Sequence, residues 1–197
     1  MKPVKKHLFL TGPDVSALRL SLQNVLGSSA ALAGGFVTET CCDASGKPVS
    51  AALLPAAALG GVEGFSPLPF LDLGVTPPLH DNEVFRVEGA RLLQEATWYP
   101  FSVLDALGSF ELLIPQYRQA LADFLSSDLP ILGILLPRKE SEQLCRKLGL
   151  GERVNMNIEQ LWKALRADPD TQIADFSGLG AIRAQRSLEQ WCREYLP

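Results

Sequence analysis

Apolar residues in this chain follow two patterns. Short unbroken runs alternate with stretches in which apolar positions recur every three or four residues. The first pattern predicts strands buried on both faces, the second helices with one face on a core. Residues 7–11 form the first such run and predict the opening strand. After the Gly12-Pro13 turn, Val15, Leu18, Leu22, Val25 and Leu26 mark a helical face. Asp14 or Ser16 is its expected N-cap, and residues 27–29 are its end. Residues 32–40 predict a second strand. The turn signal at 43–48 predicts a return over 49–54, which makes an antiparallel hairpin.

From 55 to 82 the chain is rich in Gly, Pro and Ala without a steady period, so a long, mostly irregular excursion is expected. A short strand at 83–87 and a helix at 88–96 follow. Residues 101–105 read as a strand ending in an acid, Asp105. Leu112, Tyr117, Leu121, Phe124 and Leu125 give 111–125 an amphipathic helical period. The run 130–136 has the composition of a central parallel strand. A helix at 139–148 stops at Gly149 or Gly151. An edge strand at 153–156 and a helix at 158–166 complete a first unit, residues 1–167. Residues 168–197 read as a linker and an amphipathic helix, 179–196, packed on the same domain. That helix carries Leu179, Ile182, Leu188, Trp191, Cys192 and Tyr195. The alternation of strands and helices predicts an α/β fold, a mostly parallel sheet sandwiched by helices with an antiparallel hairpin added.

The bulk numbers narrow the function classes. With 197 residues, 47% apolar and 20% charged, the chain has ordinary globular content and length enough for a core without staples. A net charge of -4 and the lack of a Lys/Arg cluster argue against nucleic acid as partner. The apolar runs are too short for a membrane span or a secretory leader, so a cytoplasmic protein is expected. Cys41, Cys42, Cys145 and Cys192 show no metal-ligand spacing and are expected as free thiols. Two histidines, His7 expected to face solvent and His80 in the excursion, suggest no triad and no metal cluster. Trp98 and Tyr99 are expected as core or interface aromatics.

Three separated pieces coincide in order with one family. Phe9-Leu-Thr-Gly-Pro13, Gly35-Phe-Val-Thr-Glu39 and Asp105-Ala-Leu-Gly-Ser-Phe-Glu111 resemble the THEP1-type nucleoside-triphosphatases, small P-loop proteins, over residues 7–165. The resemblance implies a P-loop NTPase-like fold and ATP or GTP hydrolysis with Mg²⁺. It also implies a nucleotide site over Gly12, Pro13, Asp14, Val15, Ser16, Ala17, Leu18 and Arg19. Across the cleft it implies Thr38, Glu39, Asp105, Gly108 and Glu111. The departures matter as much. The family's phosphate-binding lysine falls at Leu18, its Mg-binding hydroxyl at Arg19 and its catalytic glutamate at Ala106. An Asn-Arg pair survives only as Asn157-Ile158.

The consequence is physical. A P-loop grips phosphates with backbone N–H groups, a lysine ammonium and a metal held by a hydroxyl. Leu18 offers neither charge nor donor, and a capping Asp14 would place a carboxylate where a phosphate belongs. Losing one well-placed charged donor costs roughly 2–4 kcal/mol of transition-state stabilisation. The expectation is therefore a degenerate P-loop protein with no catalytic residues and no metal. It would act by binding a protein partner, or a nucleotide or other small anion in the remnant cleft. The competing expectation is an active hydrolase in which Arg19 replaces the lysine and Asp105 with Glu111 holds Mg²⁺.

Overall fold

A computed structural model describes residues 3–46, 48–178 and 180–197. Eight strands form one sheet in the order β5-β4-β3-β2-β6-β7-β1-β8. Five of them run parallel: β2 Ala33–Cys42, β6 Phe101–Leu107, β7 Ile131–Leu135, β1 His7–Thr11 and β8 Thr171–Asp175. β3 Pro48–Pro55, β4 Leu68–Asp72 and β5 Leu79–His80 extend the β2 edge antiparallel. The fold is α/β, a mostly parallel sheet flanked by helices. β1 and β7 are buried along their whole length, as the unbroken apolar runs require.

Each face carries its own core. On one, α1 Val15–Leu26 and α7 Gly180–Tyr195 set Leu18, Leu22, Leu188 and Trp191 against Leu8, Leu10 and Ile134. On the other lie the short helices α2 Asn82–Val84 and α3 Ala90–Glu95, then α4 Pro115–Leu125, α5 Arg138–Lys147 and α6 Glu152–Ala167. They cover Phe9, Phe36 and Leu104 with an aromatic cluster that includes Phe85 and Tyr117.

Several expectations change. Residues 83–87 are helical: Asp81 caps the turn by accepting from Glu83 N at 2.8 Å, and Phe85–Gly89 forms a π turn that buries Phe85 and exposes Val87. Residues 153–156 belong to α6, because Val154, Ile158, Leu161, Trp162 and Leu165 form one continuous buried stripe that outweighs a four-residue alternation. The excursion is irregular only in part, since it contributes β4 and β5. β8 had no apolar run to announce it; it is a half-buried edge strand paired with β1. His7 does not face solvent: lying between β7 and β8 it is 3% exposed, with Nδ1 lacking a partner. Trp98, 79% exposed, is not a core residue. Leu179 lies outside the described residues.

Candidate functional site

Ligand sites of parallel α/β sheets form at the carboxyl ends of the strands. Here β1 and α1 are joined by Gly12, Pro13 and Asp14 alone. Asp14 is the N-cap of α1: its side chain accepts from Ala17 N at 2.9 Å, and its carbonyl accepts from Leu18 N at 3.1 Å. The Ala17 amide is thus taken by the cap, and a carboxylate holds the positive end of the helix. Gly12 is buried, with Phe176 against it, so that an added Cβ would lie 3.2 Å from the Phe176 Cβ. Pro13, Ser16 and Ala17 are exposed, Val15 is half-buried, and Leu18 is sunk in the core at 2% exposure.

Arg19 leaves the first turns of α1 and crosses to the middle of the sheet. Its Nε donates to Asp105 Oδ2 at 2.5 Å, Nη1 donates to Thr40 Oγ1 at 2.9 Å, and Nη2 donates to Thr38 Oγ1. Thr38 ties the same oxygen from its own side, with N at 3.2 Å and Oγ1 at 3.1 Å from Asp105 Oδ2. Asp105 is 2% exposed. Burial pushes its carboxyl above the usual range, and the Arg19 guanidinium and the Thr38 donors pull it back. One helix and two strands are clamped through a single carboxylate oxygen.

Strand alternation separates the two β2 residues expected in the cleft. Thr38 and Thr40 share the face that meets Arg19, whereas the exposed Glu39 turns to the other side. Thr40 was missed, although its spacing of two from Thr38 carries the signal. Gly35, also in the matched segment, has φ +86 and runs so close to β6 that a Cβ would sit 2.3 Å from the Val103 carbonyl.

Beyond Asp105 the backbone departs from strand geometry. Ala106 has φ 59, and the pairing with β7 slips between Leu104 and Leu107. Left-handed backbone at alanine is strained, and strain of this kind gathers at ligand sites. Glu111 folds back under the turn that follows. It accepts from Gly108 N at 2.7 Å, from Ser109 N at 2.8 Å and from Ser109 Oγ at 2.5 Å. Burial raises its carboxyl, against the pull of these donors. Glu111 therefore fastens the turn rather than projecting free into the cleft. Asn157 is elsewhere, between α6 and α4, donating to the Leu112 carbonyl at 2.8 Å and accepting from Arg118 at 3.3 Å.

Arg19 stands between two cavities. The larger cleft, about 320 Å³, has Phe70, Phe85 and Phe110 on its apolar side and Ser16, Thr40, Glu140 and Lys147 on its polar side. Partial burial and the neighbouring Asp14 carboxylate raise Glu140, so two acids stand near the start of α1. The second cavity, about 310 Å³, lies on the Glu39 side and has Asp105 in its wall. Among the described residues no group of three or more His, Cys, Asp or Glu side chains is placed to hold a metal. No helix among them is long and apolar enough to cross a membrane.

No family model matches the sequence, and no curated relative matches it. Among solved structures, a human cancer-related nucleoside triphosphatase, determined in solution, is similar at 22% identity over 82% of this chain and 98% of that one, with a TM-score of 0.47. That likeness is too distant to carry an activity or a residue's role across.

Proposed function

We propose that this chain is a P-loop-NTPase-like binding protein that does not hydrolyse nucleoside triphosphates. The observation that carries the reading is the Arg19 guanidinium on Asp105. A magnesium ion in such a site needs a carboxylate and a hydroxyl oxygen free to face it. The Arg19 guanidinium lies on Asp105 Oδ2 and puts a fixed positive charge beside the carboxylate, Oδ1 is buried away from solvent, and the position expected to supply the hydroxyl is Arg19 itself. The residues do not fit a Mg²⁺–nucleotide.

The grip on phosphate is weakened independently. Leu18 is core, the Asp14 carboxylate uses the Ala17 amide, and Glu140 adds a second acid nearby. A triphosphate approaching α1 would meet negative charge where it needs donors. What the larger cleft offers is an aromatic wall with a few polar groups, the lining of a site for a compact, partly apolar ligand.

Calorimetric titration with Mg-ATP and Mg-GTP, run beside a phosphate-release assay, tests the reading. The expected result is no phosphate release above a protein-free blank. Submillimolar binding of either nucleotide, with turnover that disappears in Asp105→Ala, would overturn it.

A further inference from the structure

A third cavity, about 500 Å³, is a groove between α4 and α6 that shares no residue with the two beside Arg19. Its volume is that of a small-molecule site. α4 leads into β7 and α6 into β8, and both strands are parallel to β1, so the two helices run the same way. The groove follows them for roughly 12 Å, the rise of α4 from Arg118 to Ser126. Leu121 and Leu125 line one side and Leu161 and Leu165 the other, while the exposed Ala122 and Ala164 are too small to close it.

The two ends differ in charge. At one, Asn157 donates to the Leu112 carbonyl at 2.8 Å, and Arg118 donates to Asn157 Oδ1 at 3.3 Å. Arg118 and Asn157 both lie in the groove wall, so a guanidinium is held there by a fixed amide. Arg118 is exposed, has no ion pair among the described residues, and spends one of its five side-chain N–H donors on Asn157. The N-terminus of α4, which no side chain caps, adds positive potential at the same end. At the other end Asp168 accepts from Thr171 Oγ1 at 2.5 Å and from Asp170 N at 3.1 Å. That carboxylate already has donors, whereas Arg118 has donors without an anion.

We propose that this groove binds a small amphiphilic anion, a free monocarboxylic acid on an unbranched alkyl chain. The carboxylate takes the open donors of Arg118 as a bidentate pair, and the chain lies over the four leucines toward Ser126. Both walls are helices with their backbone groups bonded internally, so an extended peptide would find no main-chain partners there. The proposal depends neither on the Arg19–Asp105 pair nor on whether nucleotides are hydrolysed.

Octanoate, octanol and octylamine, three probes of one chain length and different charge, test it by titration into the isotope-labelled full chain with amide shifts as readout. Octanoate is expected to saturate with Kd of about 1 mM or tighter, shifting Arg118, Ala122, Asn157 and Ala164. Octanol is expected about fivefold weaker, the upper range for the loss of one partly exposed ion pair. Octylamine is expected to be weaker still, since its ammonium would meet Arg118 or a carboxylate already hydrogen-bonded. Arg118→Met, which removes the charge and keeps an unbranched stem, should bring octanoate down to the octanol value and leave octanol unchanged. Ala122→Trp, at an exposed position in the wall, should abolish both responses. Absence of saturation by octanoate, an equal response to octylamine, shifts confined to residues outside the groove, or indifference to Arg118→Met would overturn the proposal. If Ala122→Trp fails to fold, the head-group series and Arg118→Met decide alone.

Discussion

Asp105 has its charge buried with one counter-ion, and that counter-ion is more exposed than it is: the Arg19 side chain is 23% exposed, the Asp105 side chain 3%. Removing the cation alone strands a buried carboxylate, which typically costs about 3–5 kcal/mol. Arg19→Met is therefore expected to lower stability by about 3 kcal/mol, at the mild end because the pair is partly wetted. Arg19→Met combined with Asp105→Leu should recover most of that loss, since neither charge then remains to be solvated. Urea unfolding of the two variants checks this, and a double variant no better than the single one would mean that the pair is not what holds the site. Both members were legible in the sequence as single residues, Arg19 as a departure and Asp105 as a strand-end acid. Their contact was not, because it joins positions 86 apart and depends on the order of strands in the sheet. Glu111 shows the same limit from the other direction. A helix-start glutamate and a cleft glutamate look alike in sequence, and only the turn at Gly108 and Ser109 decides where it points.

Helix α7 is held by more than its apolar stripe. Trp191 is 1% exposed, lies edge-on to Phe101 at 6.2 Å, and donates from Nε1 to the Lys6 carbonyl at 2.9 Å. Tyr195 reaches the Val4 carbonyl at 3.1 Å. Trp191→Ala should cost about 3–5 kcal/mol, the usual range for a large buried aromatic. Trp191→Phe, which keeps much of the packing and loses the hydrogen bond, should cost about 1–2 kcal/mol. Thermal unfolding of the two variants measures the difference, and equal losses would count against the Lys6 contact. Elements with a long or unbroken pattern, such as β1, α1, β7 and α7, could be read directly from the apolar positions. Four- and five-residue segments could not. Residues 153–156 alternate locally but continue a helical stripe, and β8 is a polar edge strand that takes its place only because β1 has a free side.

Over the whole molecule, buried and exposed carboxylates pull stability in opposite directions with pH. Glu111 is raised by burial, so the folded chain holds its proton to higher pH than the unfolded chain does. Its contribution is fully present below the ordinary value of 4.5 and is lost as pH rises through the raised folded value. Asp128, lowered by Lys6, acts in reverse and loses its contribution on acidification. Glu111→Gln is thus expected to flatten the fall in stability above about pH 4.5, and urea midpoints taken from there to neutrality would reveal it. A parallel offset with unchanged slope would show that Glu111 does not titrate differently in the two states. The sheet order has a consequence of another kind, in biosynthesis. β1 lies between β7 and β8, so its backbone partners, at Ile131 and Thr171, are made long after His7. At roughly 5–20 residues per second the first apolar strand waits on the order of ten seconds or more for either neighbour. A chain built this way cannot complete its sheet vectorially from the N-terminal end. It must shelter β1 until β7 and β8 have left the ribosome, and closure of these strands is the step at which folding and aggregation compete.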